Sequence, residues 1–235
     1  MKKIIFTSSI DGFDLIDNFK PKLAKYFMPD YLKNMPHDNK TVYPIINKLV
    51  PNVRTAKICP SFIDIYNEAI VLPAPCDIWL SVNSKEALWR TTNDKIKMDY
   101  HENGQFVDYL PNPKAVKGVF KLYYPYQAIV PKGYSFRQIP MLYDFNKEWH
   151  VAYGQYAADS ISQIVLQIFY TSDKEEVLIK AGEPLCMYVP YKRENFKISF
   201  DKFEKYKDIL NANFMKTVSS FKYSHRKFKW KKLQF

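Results

Sequence analysis

Residues 161–170 read Ile-Ser-Gln-Ile-Val-Leu-Gln-Ile-Phe-Tyr, a run too rich in β-branched residues and too short to be best satisfied as a helix. On either side lie residues 128–137 and 177–189, in which short apolar runs adjoin turns built on Pro131-Lys132-Gly133 and on Lys180-Ala181-Gly182-Glu183-Pro184. Apolar runs of strand length separated by such turns are the pattern of compact antiparallel β-structure. Upstream, the pattern predicts a first strand at 3–6, a run at 69–72, a Pro73-Ala74-Pro75 turn and a strand at 76–82. Trp89, Ile96, Met98 and Tyr100 fall on what read as the next strands of a meander, with Asn103-Gly104 as a tight hairpin turn.

Two stretches break the period. Prolines at 21, 29, 36, 44 and 51 limit any helix in the N-terminal third to one or two turns, with one short helix expected around 61–66. This predicts an irregular wrap over about 11–68. Near the other end, Phe200, Phe203, Ile209, Leu210 and Phe214 recur at helical spacing, which predicts a helix over 196–215 with Ser199 or Asp201 at its start. The expected fold is mainly β, an antiparallel sandwich or barrel, with an irregular Pro-rich N-terminal segment and one C-terminal helix. Residues 1–195 form its single body, and residues 216–235 follow the helix as an arm.

Composition is compatible with this plan. Of 235 residues, 47% are apolar, enough for one large core, and only 6 are Gly, so the chain is not of low complexity. Charge sharpens the picture. Through residue 195, 24 Lys and Arg stand against 21 Asp and Glu; residues 196–235 carry 11 against 3. The body is nearly neutral and the tail is basic.

Within that tail, residues 221–235 interleave aromatics with cations, and Tyr223, Arg226, Lys227, Phe228, Lys229, Trp230, Lys231 and Lys232 are the candidate binding residues. Such alternation serves nucleic acid, with bases stacked on Tyr223, Phe228 or Trp230 and phosphates neutralised by Lys and Arg. It equally serves docking on a neighbouring protein subunit, or a solvated end. The density of aromatics favours docking, since an exposed apolar patch of this kind is a liability when left uncovered.

Known chemistries find little footing. Cys59, Cys76 and Cys186 lack the paired spacing of a zinc or dithiol site and read as reduced, mostly buried thiols. His37, His101, His150 and His225 make no metal-ligand spacing; His101 and Glu102 with a distant His150 imitate an iron triad, but adjacent strand residues face opposite ways. Asp64 and Asp77, near Arg54 and Lys57, read as a possible acidic pair or, more simply, as polar groups satisfied near turns. There is no nucleophile elbow, phosphate-binding loop or dinucleotide fingerprint, and no cofactor is implied. The first ten residues hold an apolar run too short for a signal peptide, and no run approaches a membrane span. The expectation is a soluble, intracellular protein that makes no membrane contact.

The host enters through a resemblance. The blocks at 26–33 (Tyr-Phe-Met-Pro-Asp-Tyr-Leu-Lys), 55–64, 70–77, 129–136 and 181–193 resemble, in order, successive blocks of an uncharacterised family of tailed bacteriophages, covering about residues 20–195. The resemblance implies a phage setting, with the protein in the host cytoplasm or the virion, and brings no established activity. Residues 129–190 more loosely resemble the strand and turn order of the dUTPase and dCTP-deaminase group, whose Gly-x-(Ile/Val)-Asp turn lines a nucleotide pocket. Here Gly154 and Asp159 depart from that spacing, and the basic tail is not a glycine-rich closing arm, which implies a shared β-topology without the chemistry. The leading expectation is a non-enzymatic phage protein, structural or interacting, that assembles with other subunits through aromatic surfaces and its arm. The alternatives are a dUTPase-like nucleotide-binding or nucleotide-modifying protein and an inhibitor of a host process.

Overall fold

In a computed structural model, residues 3–8, 10–13, 16–43, 48–83, 86–112, 115–145 and 147–220 are described, and the chain divides into two compact units, Met1–Arg193 and Glu194–Phe235. The first unit is built on two five-stranded antiparallel sheets. One is ordered β1 (Ile5–Ser8), β9 (Gly118–Ile129), β13 (Gln163–Tyr170) and β11 (Trp149–Val151), with β8 (Met98–His101) also paired to β9. The other is ordered β12 (Gly154–Tyr156), β10 (Tyr134–Pro140), β15 (Pro184–Lys192), β5 (Ile70–Pro73) and β2 (Lys22–Leu23). A three-stranded sheet joins β14 (Glu176–Ile179), β6 (Ile78–Val82) and β7 (Ala87–Thr91), and β3 (Asp38–Tyr43) pairs with β4 (Lys48–Arg54). Among the described residues no sheet closes into a barrel.

Strict alternation makes β13 a core strand. Ile164, Leu166, Ile168 and Tyr170 are fully buried while the residues between them are less so, as a pleat with one face inward requires. They meet Phe120, Leu122 and Tyr124 of β9 and Phe136, Cys186 and Tyr188 of the second sheet in one core. The β10–β15–β5 sheet is covered on its other face too. There Val71 and Met187 pack with Ala24, Leu32, Tyr66 and Ala69, carried by the N-terminal segment and by α1 (Asp30–Asn34) and α2 (Pro60–Glu68). Tyr66 and Tyr31 tie this layer down by donating to the carbonyls of Leu142 and Tyr143, at 2.9 and 2.7 Å.

Proline and glycine act where their backbone preferences demand. Pro125 lies inside the twelve-residue β9, which a central strand tolerates poorly, and the β9–β13 register shifts across that stretch. Gly133 and Gly182 adopt φ of +82° and +80° in the turns before β10 and β15, a region that side chains disfavour.

Several expectations need correction. The first strand is Ile5–Ser8, two residues later than its apolar start implies. The N-terminal third is not wholly irregular, since β3 and β4 form a hairpin; Pro51 sits where its register shifts, and a two-stranded sheet has only edges, where a missing N–H is tolerated. Asn103–Gln105 is a 3-10 turn on a long connection, so Asn103-Gly104 does not close a hairpin. Nor do strands 76–101 make one meander: β7 pairs with β6, whereas β8 joins β9 in another sheet. In the second unit the α-helix is α3 (Lys207–Ser220), preceded by a 3-10 turn at Phe203–Tyr206, so Phe200 and Phe203 lie outside it.

Candidate functional site

The second unit begins with an alternation that the helical expectation over 196–215 obscures. Residues 196–200 read Phe-Lys-Ile-Ser-Phe, a period of two, and 194–200 form neither helix nor strand. Phe196, Ile198 and Phe200 are 84, 83 and 97% exposed, and Phe203, Ile209 and Leu210 are exposed after them. An extended segment of this pattern would place all three large apolar side chains on one side. The carboxylate of Asp201 then organises the turn into the helix: it accepts from the Lys202 N–H at 2.9 Å and from the Tyr206 hydroxyl at 3.3 Å, and it pairs with Lys205. These contacts hold Asp201 below its ordinary carboxylate range, the Lys205 hydrogen bond foremost. Asp201 thus bonds the very next N–H, where a helix cap would reach two or three residues on. The arm residues Tyr223, Arg226, Lys227, Phe228, Lys229, Trp230, Lys231 and Lys232 lie outside the described residues.

In the first unit, Asp159 is engaged by the fold. Its carboxylate accepts from the Gly133 N–H at 2.8 Å and pairs with Arg193, whose other guanidinium nitrogen donates to Ser135 Oγ at 3.1 Å. The Arg193 N–H closes the loop by donating to the Gly133 carbonyl at 2.8 Å. The Arg193 hydrogen bond and the Gly133 N–H hold the Asp159 carboxyl below its usual range. This knot ties the turn before β10 to the end of β15. Arg137 lies over the Tyr191 ring at 4.8 Å.

His101 and His150 fall in a single cross-strand row, His37 lies outside the strands, and His225 lies outside the described residues. His101 pairs with Val119, Val119 with Phe169, and Phe169 with His150, so two strands separate the imidazoles. At about 4.8 Å per strand the row spans roughly 14 Å, too far for one ion. Among the described residues, no group of three or more His, Cys, Asp and Glu gathers. Asp77 accepts from the Ala181 N–H at 2.7 Å, as a polar group satisfied at a turn does, while Asp64 is exposed on α2. All three thiols are free; burial pushes Cys76 and Cys186 up, away from reactive thiolate.

One polar cluster had no signal in the sequence. Lys147 bridges Glu183 and Asp144 and lies over the Trp149 ring at 4.2 Å, beside Tyr143, which adopts φ of +60°. Lys147 and Glu183 stand 36 residues apart, beyond any local pattern. No family model matches this sequence, and no curated protein matches it either.

Proposed function

We propose that this chain is a non-enzymatic interaction protein whose C-terminal unit docks on another protein subunit. The observation that carries the reading is the exposure of Phe196, Ile198 and Phe200 in an alternating segment that has no strand partner among the described residues. Large apolar side chains gathered in this way mark interaction surfaces. An extended segment with a period of two suits addition to a sheet edge, where main-chain hydrogen bonds supply affinity and the alternate side chains supply specificity. The basic aromatic run after it extends the same surface in sequence. Engagement of Asp159 by Arg193 and Gly133 supports a fold role for the residue that a nucleotide site would need free. The tailed-phage setting, with the chain as a virion-associated or assembly component, rests on the block resemblance over residues 20–195.

Native mass spectrometry and sizing of the full chain, alone and co-expressed with the neighbouring structural subunits of its phage, test the reading. A defined oligomer or stable complex is expected, lost when Phe196, Ile198 and Phe200 are changed together to Ser, with the melting temperature of the body unchanged. A monomer under all conditions overturns it. The arm separates protein from nucleic acid as partner. Docking predicts a salt-insensitive complex lost on Trp230→Ala. Tracking of phosphates predicts affinity that falls steeply with salt, with a slope reduced by changing Lys227, Lys229, Lys231 and Lys232 to Ala.

A further inference from the structure

Where the chain passes from β11 in one sheet to β12 in the other, the sandwich edge opens into a cleft of about 280 Å³. None of the ten residues that line it carries a charge. One wall is aromatic and held in place by pairing. Tyr156 stands opposite Phe136 and stacks on it at 6.4 Å, and it lies 5.9 Å from Tyr188. Tyr188 donates its hydroxyl to Gln138 Oε1 at 2.9 Å, and Gln138 Nε2 donates to the Ala152 carbonyl at 2.8 Å, so the glutamine is oriented from both ends. Gln163 and Gln167 line the cleft as well, and Gln163 Nε2 donates to the Tyr124 carbonyl at 3.1 Å where the β9–β13 register shifts. Tyr153, 74% exposed, also lines it.

The hydroxyl of Tyr156 is the anomaly. Among the described residues it is the buried side-chain polar atom with no hydrogen-bond partner. Buried polar atoms in folded proteins are nearly always paired, and the exceptions ask for a function or a ligand. Burial pushes this phenol up to about 12, so it keeps its proton and remains a donor at any ordinary pH.

We propose that this cleft binds a neutral sugar ring. Hydroxyls of a pyranose both donate and accept, as glutamine amides and phenols do, and the apolar face of the ring stacks on an aromatic side chain. An anionic ligand would want cations in the lining and a metal ion would want carboxylates, and the lining holds neither. The volume lies at the small end of ligand pockets, which start at roughly 300 Å³, and fits one ring better than a nucleotide. This site is separate in sequence from the C-terminal docking segment and stands or falls independently of it.

The test uses the full chain and three probes, methyl glucopyranoside, methyl galactopyranoside and N-acetylglucosamine, followed by ligand-observed NMR and by titration of the protein's amide resonances. Saturable binding of at least one probe at millimolar concentration is expected. Tyr153→Ala should weaken it about tenfold, the loss of one aromatic stacking contact. Gln167→Ala should weaken it several-fold by removing an amide that lines the cleft, whereas Tyr156→Phe, whose hydroxyl is closed off from the cleft, should leave binding and packing in place with melting unchanged or raised. Absence of saturable binding to all three probes, undiminished binding by both Tyr153→Ala and Gln167→Ala, or preference for thymidine or a phosphorylated sugar would each overturn the proposal.

Discussion

Two stretches of this chain carry large apolar residues at every second position and meet opposite fates. In β13, Ile164, Leu166, Ile168 and Tyr170 are buried without remainder; in residues 196–200, Phe196, Ile198 and Phe200 stand in solvent. The pattern is the same and the surroundings differ. Alternation encodes a face, but only a second face of matching shape gives that pattern a buried strand. In the first unit the facing sheet provides it within the chain. In the second, the described residues pair no strand with the segment, and the docking role proposed above rests on that contrast.

The comparison is broken most forcefully at its two ends. Phe120 is fully buried between both sheets, in edge contact with Trp89, Tyr100 and Tyr170, so Phe120→Ala should destabilise the body by about 3–5 kcal/mol in urea unfolding. Phe200→Ala, at an exposed site, should change it by less than about 0.5 kcal/mol. Comparable losses at the two positions would mean that the second unit is part of the core.

A smaller effect tests how the polar groups inside the body are satisfied. The Tyr126 hydroxyl donates to the Phe13 carbonyl at 2.7 Å, and both residues are buried. Tyr126→Phe should cost about 0.5–1.5 kcal/mol, since it removes the shorter of two hydrogen bonds to that carbonyl and leaves the Ile16 N–H at 3.3 Å as its donor. Chemical denaturation of the two proteins side by side measures it.

The knot at Asp159 should reveal itself through pH. Its carboxyl is held below the ordinary range by Arg193 and Gly133, so the folded state favours the ionised form, and the resulting stability is present above the unfolded carboxylate value and lost as pH falls through the lower folded value. Asp159→Asn should therefore lower the melting temperature at neutral pH, with the gap to the wild type narrowing below about pH 4. A gap that persists undiminished into acid would assign the loss to shape and not to charge. The smallest effect is expected from removing residues 194–235. The remaining body should melt cooperatively within a few degrees of the full chain, as calorimetry would record, because, among the described residues, its cores are built from residues before 194.

Much of the architecture was legible because its causes are local. The turns at Gly133 and Gly182, the strand at 163–170, the helix around 61–66 and the short helices between the N-terminal prolines all follow from backbone preference and period. The misreadings share one origin. Phe200 and Phe203 satisfy helical spacing on paper, yet Asp201 turns the chain between them and delays the α-helix to Lys207. Asn103-Gly104 has hairpin chemistry, but the strands on either side are held by β9 across a sixteen-residue connection, which leaves the dipeptide free to turn locally. The β3–β4 hairpin hid behind Pro51, whose disfavour applies to central strands and not to edges.

Candidate sites were less legible. The spacing of Gly154 and Asp159 argued against a nucleotide site, but the pairing of Asp159 with Arg193, 34 residues later, is visible only in three dimensions. The cleft beside Tyr156 had no motif at all: its walls come from β10, β12, β13 and β15, and no single window of sequence contains them.

By itself the sequence determined that this chain is mainly β, where its tight turns fall, which faces of its strands are apolar and that its charge gathers at one end. Those are properties of neighbouring residues and of the backbone they share. The tertiary structure alone decided which strands pair, that β7 and β8 part into different sheets, that the Tyr126 hydroxyl finds a carbonyl 113 residues away, and that, among the described residues, one buried phenol is left without a partner. Pairing of that range is selected by the joint packing of whole faces, and the free energy of such packing belongs to no local segment.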